Sequence, residues 1–211
     1  MTIVYLDYVV PGSILIPIAV LIPKVRNTPA YIKLIFYYLV MSAVVNTICI
    51  IMARNNEPNL WMIHIQTILE SFLLLWFFKY IITSSLVLKV IKTLIIGFPL
   101  FCLVNLLFIQ GIHSYPSYTR TLETIIFIAM CIIYWWQESE DNIRWSDVPA
   151  NWFVTGLFLY FSAAFFIFLF SNYLAGYVSF TVMDIAWYTH ATLILLMYVL
   201  IAIGFIKCKR Q

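Results

Sequence analysis

The chain has 211 residues and a formal net charge of +3, with only 10% charged residues against 64% hydrophobic residues. Soluble domains carry about 25% charged residues, so this composition excludes an ordinary soluble domain and indicates a protein embedded in a lipid bilayer. Its basic residues are scattered along the chain and form no stripe, which argues against a nucleic-acid partner.

Seven continuous apolar runs follow one another along the chain. A membrane helix needs about 20 apolar residues to cross about 30 Å of hydrocarbon, and each run is close to that length. The runs are continuous and do not alternate between apolar and polar residues, so strands are disfavoured. We therefore predict an all-α, polytopic seven-transmembrane-helix bundle in a single domain, residues 1–211. Its spans cover residues 4–23, 31–53, 59–79, 86–109, 118–137, 151–172 and 180–206.

The first span differs from the others because prolines interrupt it. Pro11, Pro17 and Pro23 fall within or at the end of the run, and Asp7 lies near its start. Proline is tolerated in membrane helices but removes a backbone hydrogen bond, so we expect a kink in this span.

Loop charges predict the orientation of the bundle. Alternate loops and the C-terminal tail share most of the basic residues, whereas the opposite side holds only Arg54 and Arg120. The basic side should face the cytoplasm, which places the N-terminus outside and the C-terminus inside a bacterial inner membrane. The basic side holds Lys24, Arg26, Lys33, Lys79, Lys89, Lys92, Arg144, Lys207, Lys209 and Arg210.

Polar side chains are concentrated in the outer halves of the spans. In the third span His64 lies near the outer end and Glu70 lies roughly 9 Å deeper, at 1.5 Å per residue. An ionised carboxylate near the bilayer centre costs about 3 kcal/mol or more unless it has a partner, so Glu70 should face the bundle interior. Arg120 and Glu123 are spaced i, i+3 and can pair on one face of the fifth span.

We predict that Glu70 shares an outer-half cavity with His64, Glu123 and His190. Helix-to-helix hydrogen bonding is the ordinary role for residues such as Asn46, and a salt bridge is the ordinary role for Arg120 and Glu123. As ligand-binding candidates we name Asn46, His64, Thr67, Glu70, Arg120, Glu123, Ser162, Asn172, Asp184 and His190.

Three segments carry a resemblance to a known family. These are "NNEPNLWMIHIQTILE" at 55–70, "RTLE" at 120–123 and "NWFVTGLFLYFSAAFFIFLFSNYL" at 151–174. Together they resemble a group of seven-span membrane proteins common in Bacteroidota, a group with no assigned activity. Ala163 and Ala164 depart from that group, which has a polar residue soon after the position of Ser162. The resemblance implies a shared site formed by Asn55, Trp61, His64, Glu70, Arg120, Glu123, Ser162 and Asn172.

Several functions of seven-span proteins can be compared with these residues. A retinal protein is excluded because residues 180–206 contain no lysine for a Schiff base. A zinc-dependent intramembrane hydrolase could use His64, His190 and one of Glu70, Glu123 or Asp184 as ligands, with Glu70 the first choice, although no pair of histidines has helical i, i+4 spacing. A transporter is disfavoured by the dry inner half, and a structural subunit of a membrane complex is a further alternative.

The leading hypothesis is a sensor of a small molecule or a lipid headgroup, with a pocket that opens outward. The 211 residues contain no kinase or cyclase segment, so such a sensor would act through a separate cytoplasmic effector protein. Its other partner is the lipid bilayer itself.

Overall fold

The computed structural model describes residues 5–138, 144–177 and 179–208, and within these ranges all regular structure is helical. A π-helical turn at Tyr5–Val9 precedes the first α-helix, and a second π-helical turn at Asn105–Ile109 extends the fourth. We number the seven helices α1 (Val10–Leu21), α2 (Ala30–Arg54), α3 (Leu60–Ile81), α4 (Ser85–Val104), α5 (Ser117–Glu138), α6 (Pro149–Tyr177) and α7 (Phe180–Lys207).

Six of these helices, α2 to α7, are long and apolar enough to cross a membrane. This agrees with the predicted all-α membrane bundle and indicates a multi-pass membrane protein. The first helix is different: at 1.5 Å per residue Val10–Leu21 is about 18 Å long, less than the roughly 30 Å of a hydrocarbon core. The first predicted span, residues 4–23, begins at a residue outside the described part, and within that part the α-helix is shorter than the span and follows a π-helical turn.

Prolines explain where several helices begin and where α1 is interrupted. Pro29 is the N-cap residue of α2, and Pro149 is the first residue of α6, positions where the missing N–H of proline costs nothing. Within α1, Pro17 has no N–H to bond the carbonyl of Ser13, and the α-helical hydrogen bonding is broken at Ile14.

The helices pack as a closed ring with one helix outside it. Helices α5, α6 and α7 are neighbours in sequence order, α2 packs on α3, and α3 also contacts α5. The short α1 closes the ring by packing between α7 and α2, while α4 packs on α3 at the periphery. The exposed faces of the helices carry large apolar side chains such as Leu86, Leu107 and Phe108, as expected for surfaces that contact lipid.

The two ends of the bundle interior differ in chemistry. We call the end where α2 ends and α3 begins the upper end, and the opposite end the lower end. The lower end is a dry aromatic and aliphatic core, in which Phe77 contacts Phe153 and Phe153 contacts Phe205, with all three side chains fully buried. The buried charged and most polar side chains lie toward the upper end, where the candidate site is found.

Candidate functional site

A cluster of three charged side chains lies in the interior of the bundle. Arg120 Nη1 donates to Glu70 Oε2 at 2.5 Å and to Glu123 Oε2 at 2.8 Å. The three residues are 5%, 1% and 1% exposed, respectively, so the ion pairs are almost fully removed from solvent and lipid. Tyr38 Oη donates to the other Glu70 oxygen at 3.3 Å. The cluster therefore joins α2, α3 and α5 through charge-assisted hydrogen bonds.

A polar cavity of about 240 Å³ opens beside this cluster. Glu70 and Arg120 lie on its wall, and the remaining lining comes from α2, α3, α6, α7 and the loop before α5. The polar or aromatic lining residues include Tyr38, Ser42, Asn46, Asn59, Gln66, Tyr115, Tyr160, Phe168, Trp187, His190 and Tyr198.

Three polar atoms of residues on the cavity wall have no hydrogen-bond partner within residues 5–138, 144–177 and 179–208. They are Ser42 Oγ, Arg120 Nε and His190 Nδ1, and each is buried. A buried polar atom without a partner costs about 1–3 kcal/mol, so such atoms are uncommon and call for an explanation. All three atoms belong to residues on the wall of this one cavity.

Aromatic rings enclose His190 and Arg120. The His190 ring lies 5.5 Å from Tyr160, 5.4 Å from Phe168 and 5.9 Å from Trp187, measured between ring centroids. Arg120 Cζ lies 4.7 Å from the centre of the Phe168 ring, within the range of a cation–π contact. These rings restrict the orientation of both polar side chains and exclude water from one side of the cavity.

The loop between α4 and α5 places Tyr115 on the cavity wall. Gln110 holds this loop: its Nε2 donates to the Tyr115 carbonyl at 3.3 Å and to Ser117 Oγ at 2.8 Å. Its Oε1 accepts from Asn105 Nδ2 at 2.9 Å. Burial raises the pKa of the Tyr115 hydroxyl above its ordinary value, so the group stays protonated at neutral pH and can donate a hydrogen bond.

A second, apolar cavity of about 390 Å³ adjoins the polar one. It lies between α1, α2 and α7, and Asn46, Cys49 and His190 belong to the walls of both cavities. The further lining of the apolar cavity comes from side chains such as Leu6, Val10, Ile50, Ala191 and Ile194. The two spaces therefore form one amphipathic region, polar near Arg120 and apolar near α1.

Four of the ten residues predicted from the sequence line the polar cavity: Asn46, Glu70, Arg120 and His190. Glu123 pairs with Arg120 but lies behind it, away from the cavity. The structure thus brings Glu70 and His190 together, whereas His64 and Glu123, predicted to share their cavity, are not on its wall.

His64 and Thr67 are buried in α3 and satisfied by backbone groups. His64 Nε2 donates to the Ser114 carbonyl at 3.1 Å, which ties the loop before α5 to α3. Thr67 Oγ1 donates to the Ile63 carbonyl of its own helix at 2.8 Å. His64 is six residues before Glu70, about 240° around the helix, so the two side chains leave α3 in different directions.

The other predicted residues lie away from the cavity or outside the described side chains. Ser162 is half-buried on α6 and does not line the cavity, and Asp184 is exposed on α7. Asn55 and Trp61, implied by the family resemblance, are also exposed. The backbone of Asn172 belongs to α6, but its side chain lies outside the described part of the chain, as do Lys209 and Arg210.

The zinc site considered from the sequence is not assembled. In residues 5–138, 144–177 and 179–208, no three His, Cys, Asp or Glu side chains converge in a way that could hold a metal ion. His64 bonds the loop carbonyl of Ser114, and His190 faces the cavity from α7 within its aromatic surroundings. The predicted ligand set His64, His190 and Glu70 is therefore divided between different surroundings.

Sequence reasoning missed the tyrosines of the site. Tyr38, Tyr160 and Tyr198 line the cavity, yet tyrosine counts as an apolar residue when spans are recognised. A signal was present in the sequence: membrane tyrosines are typically enriched at the two interfaces, whereas these three lie well inside their spans.

Comparison of the chain with protein-family models, curated proteins and solved structures gives no match in any of the three. The resemblance to the Bacteroidota group therefore depends on the quoted segments alone. The structure agrees with the resemblance only in being a bundle with six helices that could cross a membrane.

Proposed function

We propose that this protein binds a small molecule or a lipid headgroup in the polar cavity beside Arg120 and acts as a membrane sensor. The observation that carries the proposal is that Ser42, Arg120 and His190, which line one cavity, each hold a buried polar atom (Oγ, Nε and Nδ1) without a partner in the described part of the chain. A polar ligand that bonds these atoms removes their desolvation cost, and this gain contributes to its affinity.

The proposed orientation is the one that the loop charges favour, with the N-terminus outside a bacterial inner membrane. The upper end then faces outward, and the cavity lies in the outer half of the bundle. A bound molecule would reach it from the outer leaflet or from the outside medium, and a response would pass to a cytoplasmic effector at the lower end.

The dry lower end favours binding over transport. Below the cavity, the fully buried side chains Phe77, Phe127, Phe153 and Phe161 fill the interior. Transport needs a route to the opposite side, and opening one here would separate several packed aromatic rings. A protein that binds its ligand at one end and responds by a change in helix packing requires no such route.

Native mass spectrometry of the protein in lipid nanodiscs tests the proposal. We expect the wild-type protein to retain a molecule of defined mass at about one per chain. Asn46→Phe should abolish retention, because the larger side chain occupies the cavity. Leu107→Phe, on the exposed side of the π-helical turn that extends α4, serves as the matched control and should retain the molecule. Equal retention by the wild type and Asn46→Phe would contradict the proposal.

A further inference from the structure

The apolar cavity adjoins the polar one, and the proposed function does not use it. Its volume of about 390 Å³ falls within the range of roughly 300–1,000 Å³ typical of small-molecule sites. Asn46, Cys49, Trp187 and His190 belong to both walls, so a molecule bonded near Arg120 can extend directly into the apolar space. An occupant of both cavities must be polar at one end and apolar at the other.

The charge cluster restricts the polar end of such a molecule. One guanidinium faces two carboxylates, and both ion pairs use the same Arg120 nitrogen, Nη1. With all three groups ionised, the cluster carries one net negative charge, and with one carboxyl protonated it carries none. In neither state does it offer the surplus positive charge that a phosphate or carboxylate head requires.

The hydrogen-bonding groups on the wall match an uncharged head. The cavity is lined by Ser42 and Tyr198, which carry hydroxyls, by Gln66, which carries an amide, and by Arg120, whose guanidinium donates hydrogen bonds. Hydroxyl or carbonyl oxygens satisfy such groups without bringing a charge into a low-dielectric site.

The wall toward α1 indicates that the apolar end lies next to lipid. Leu6, Val10 and Pro11 form this wall. On the same segment Tyr8, Val9 and Leu15 are exposed at 58%, 46% and 60%, so the segment that lines the apolar cavity also faces outward from the bundle. Because α1 is short and interrupted at Ile14, this wall has fewer continuous backbone hydrogen bonds than the others.

We infer that the ligand is an uncharged single-chain amphiphile drawn from the bilayer, with a hydroxyl- or carbonyl-bearing head at Arg120 and Ser42 and its apolar chain against α1 and α7. This inference depends on the proposed function, since it identifies the class of molecule that the polar cavity binds. A water-soluble molecule with the same head is the alternative source of the same chemistry.

Cys49 provides a natural reporter, because it lies on the walls of both cavities and is partly accessible. The protein with Cys102, Cys131 and Cys208 replaced by Ala is reconstituted in nanodiscs, and alkylation of Cys49 by N-ethylmaleimide is followed by mass spectrometry. The additions are monoolein, oleoyl lysophosphatidate with the same chain and an anionic head, and monobutyrin with the same head and a short, water-soluble chain.

We expect monoolein at ten times its dissociation constant to slow alkylation about tenfold, because only free protein reacts. Lysophosphatidate and monobutyrin at the same concentration should have little effect. Ser42→Ala should weaken the protection by monoolein, because it removes a partner of the head. Thr47→Ala deletes a hydroxyl from the same helix that bonds only the Ala43 carbonyl and does not line the cavity, so it should preserve the protection.

Equal protection by monobutyrin would overturn the inference that the ligand comes from the bilayer, and equal protection by lysophosphatidate would overturn the uncharged head. Unchanged protection in Ser42→Ala, or no protection by monoolein, would also overturn it. None of these outcomes tests the proposed function. That is tested by native mass spectrometry, which asks whether the wild-type protein retains a molecule and whether Asn46→Phe loses it.

Discussion

Arg120 has the most connected side chain of the site, since its guanidinium joins two carboxylates and lies on the ring of Phe168. A buried ion pair of this kind is weak evidence for stability, because the desolvation of the charges offsets their attraction. Removing one member is costly, however, because it leaves the other charges buried without compensation. Replacing one of the three charged residues should therefore destabilise the protein more than replacing all three with uncharged residues.

Arg120→Met should lower the free energy of unfolding by about 3–5 kcal/mol, because Glu70 and Glu123 lose their common cation. The triple variant Arg120→Met, Glu70→Gln, Glu123→Gln should recover part of this loss, since it buries no charge. Reversible unfolding in mixed lipid–detergent micelles measures both values. Arg54→Met is the matched control: Arg54 is exposed and bonds Tyr8 Oη at 3.2 Å, so its loss should cost less than about 1 kcal/mol. A triple variant less stable than Arg120→Met would contradict this account.

The residues of the cluster were predictable to different degrees. The Arg120–Glu123 pair followed from i, i+3 spacing, and the structure places the two side chains 2.8 Å apart. The Arg120–Glu70 pair joins residues 50 positions apart, and no local pattern encodes that distance. For Glu70 the sequence indicated that a carboxylate at such a depth needs a partner, and we predicted a cavity shared with His64, Glu123 and His190 but no ion pair with Arg120. Which residue served as the partner depended on how α3 and α5 pack.

Among the helix pairs, α6 and α7 have the most extensive contact. Gly204 lies where α7 crosses the beginning of α6, and a Cβ atom there would lie 2.5 Å from Phe153 Cε1 and 3.1 Å from the Pro149 carbonyl oxygen. Phe153 cannot move aside easily, because its ring is fully buried and contacts Phe77 and Phe205. Small residues at helix crossings allow this close approach in membrane proteins.

Gly204→Ala should therefore lower the free energy of unfolding by about 1–3 kcal/mol, the usual cost of overpacking a well-filled core. Gly97→Ala is the matched control, because a Cβ at Gly97 meets nothing within 4 Å. There the better helix propensity of alanine should leave stability unchanged or raise it by up to about 1 kcal/mol. Both variants are compared by thermal unfolding in nanodiscs. Equal stability of the two proteins would show that the crossing can relax.

The helices themselves were easier to predict than their lengths. Continuous apolar runs predicted α2 to α7 well, because a bilayer requires long helices with internally satisfied backbone groups. For α1 the same hydropathy signal predicted residues 4–23, whereas the described residues form a π-helical turn at Tyr5–Val9 and an α-helix at Val10–Leu21. Hydropathy measures transfer to lipid and contains no term for the hydrogen bonds that Pro11 and Pro17 remove.

At the scale of the whole molecule, the sidedness of the bundle decides which compartment the cavity faces. The proposal of an outward-facing upper end rests on the bias of ten basic residues to two. Reporter fusions test it directly. A fluorescent protein fused after Gln211 should be active and alkaline phosphatase at the same position inactive, because that end should be cytoplasmic.

Fusion of the same two reporters to the chain truncated after Asn56 is the control, since that loop belongs to the upper end. The activities should there be reversed. Active phosphatase after Gln211 would place the cavity on the cytoplasmic side and redirect the search for its ligand.

The closure of the helix ring by α1 has a consequence for biogenesis. Tyr5 Oη bonds Thr192 Oγ1 at 3.0 Å, a contact between residues separated by 187 positions. At about 5–20 residues per second, a ribosome needs on the order of 10–40 s to synthesise that interval. During this time α1 is already made but α7, its main neighbour, is not. The apolar cavity then lacks the wall that α7 supplies. The apolar cavity therefore forms only at the end of synthesis, when the first and last helices meet, and the proposed ligand could bind only from that point on.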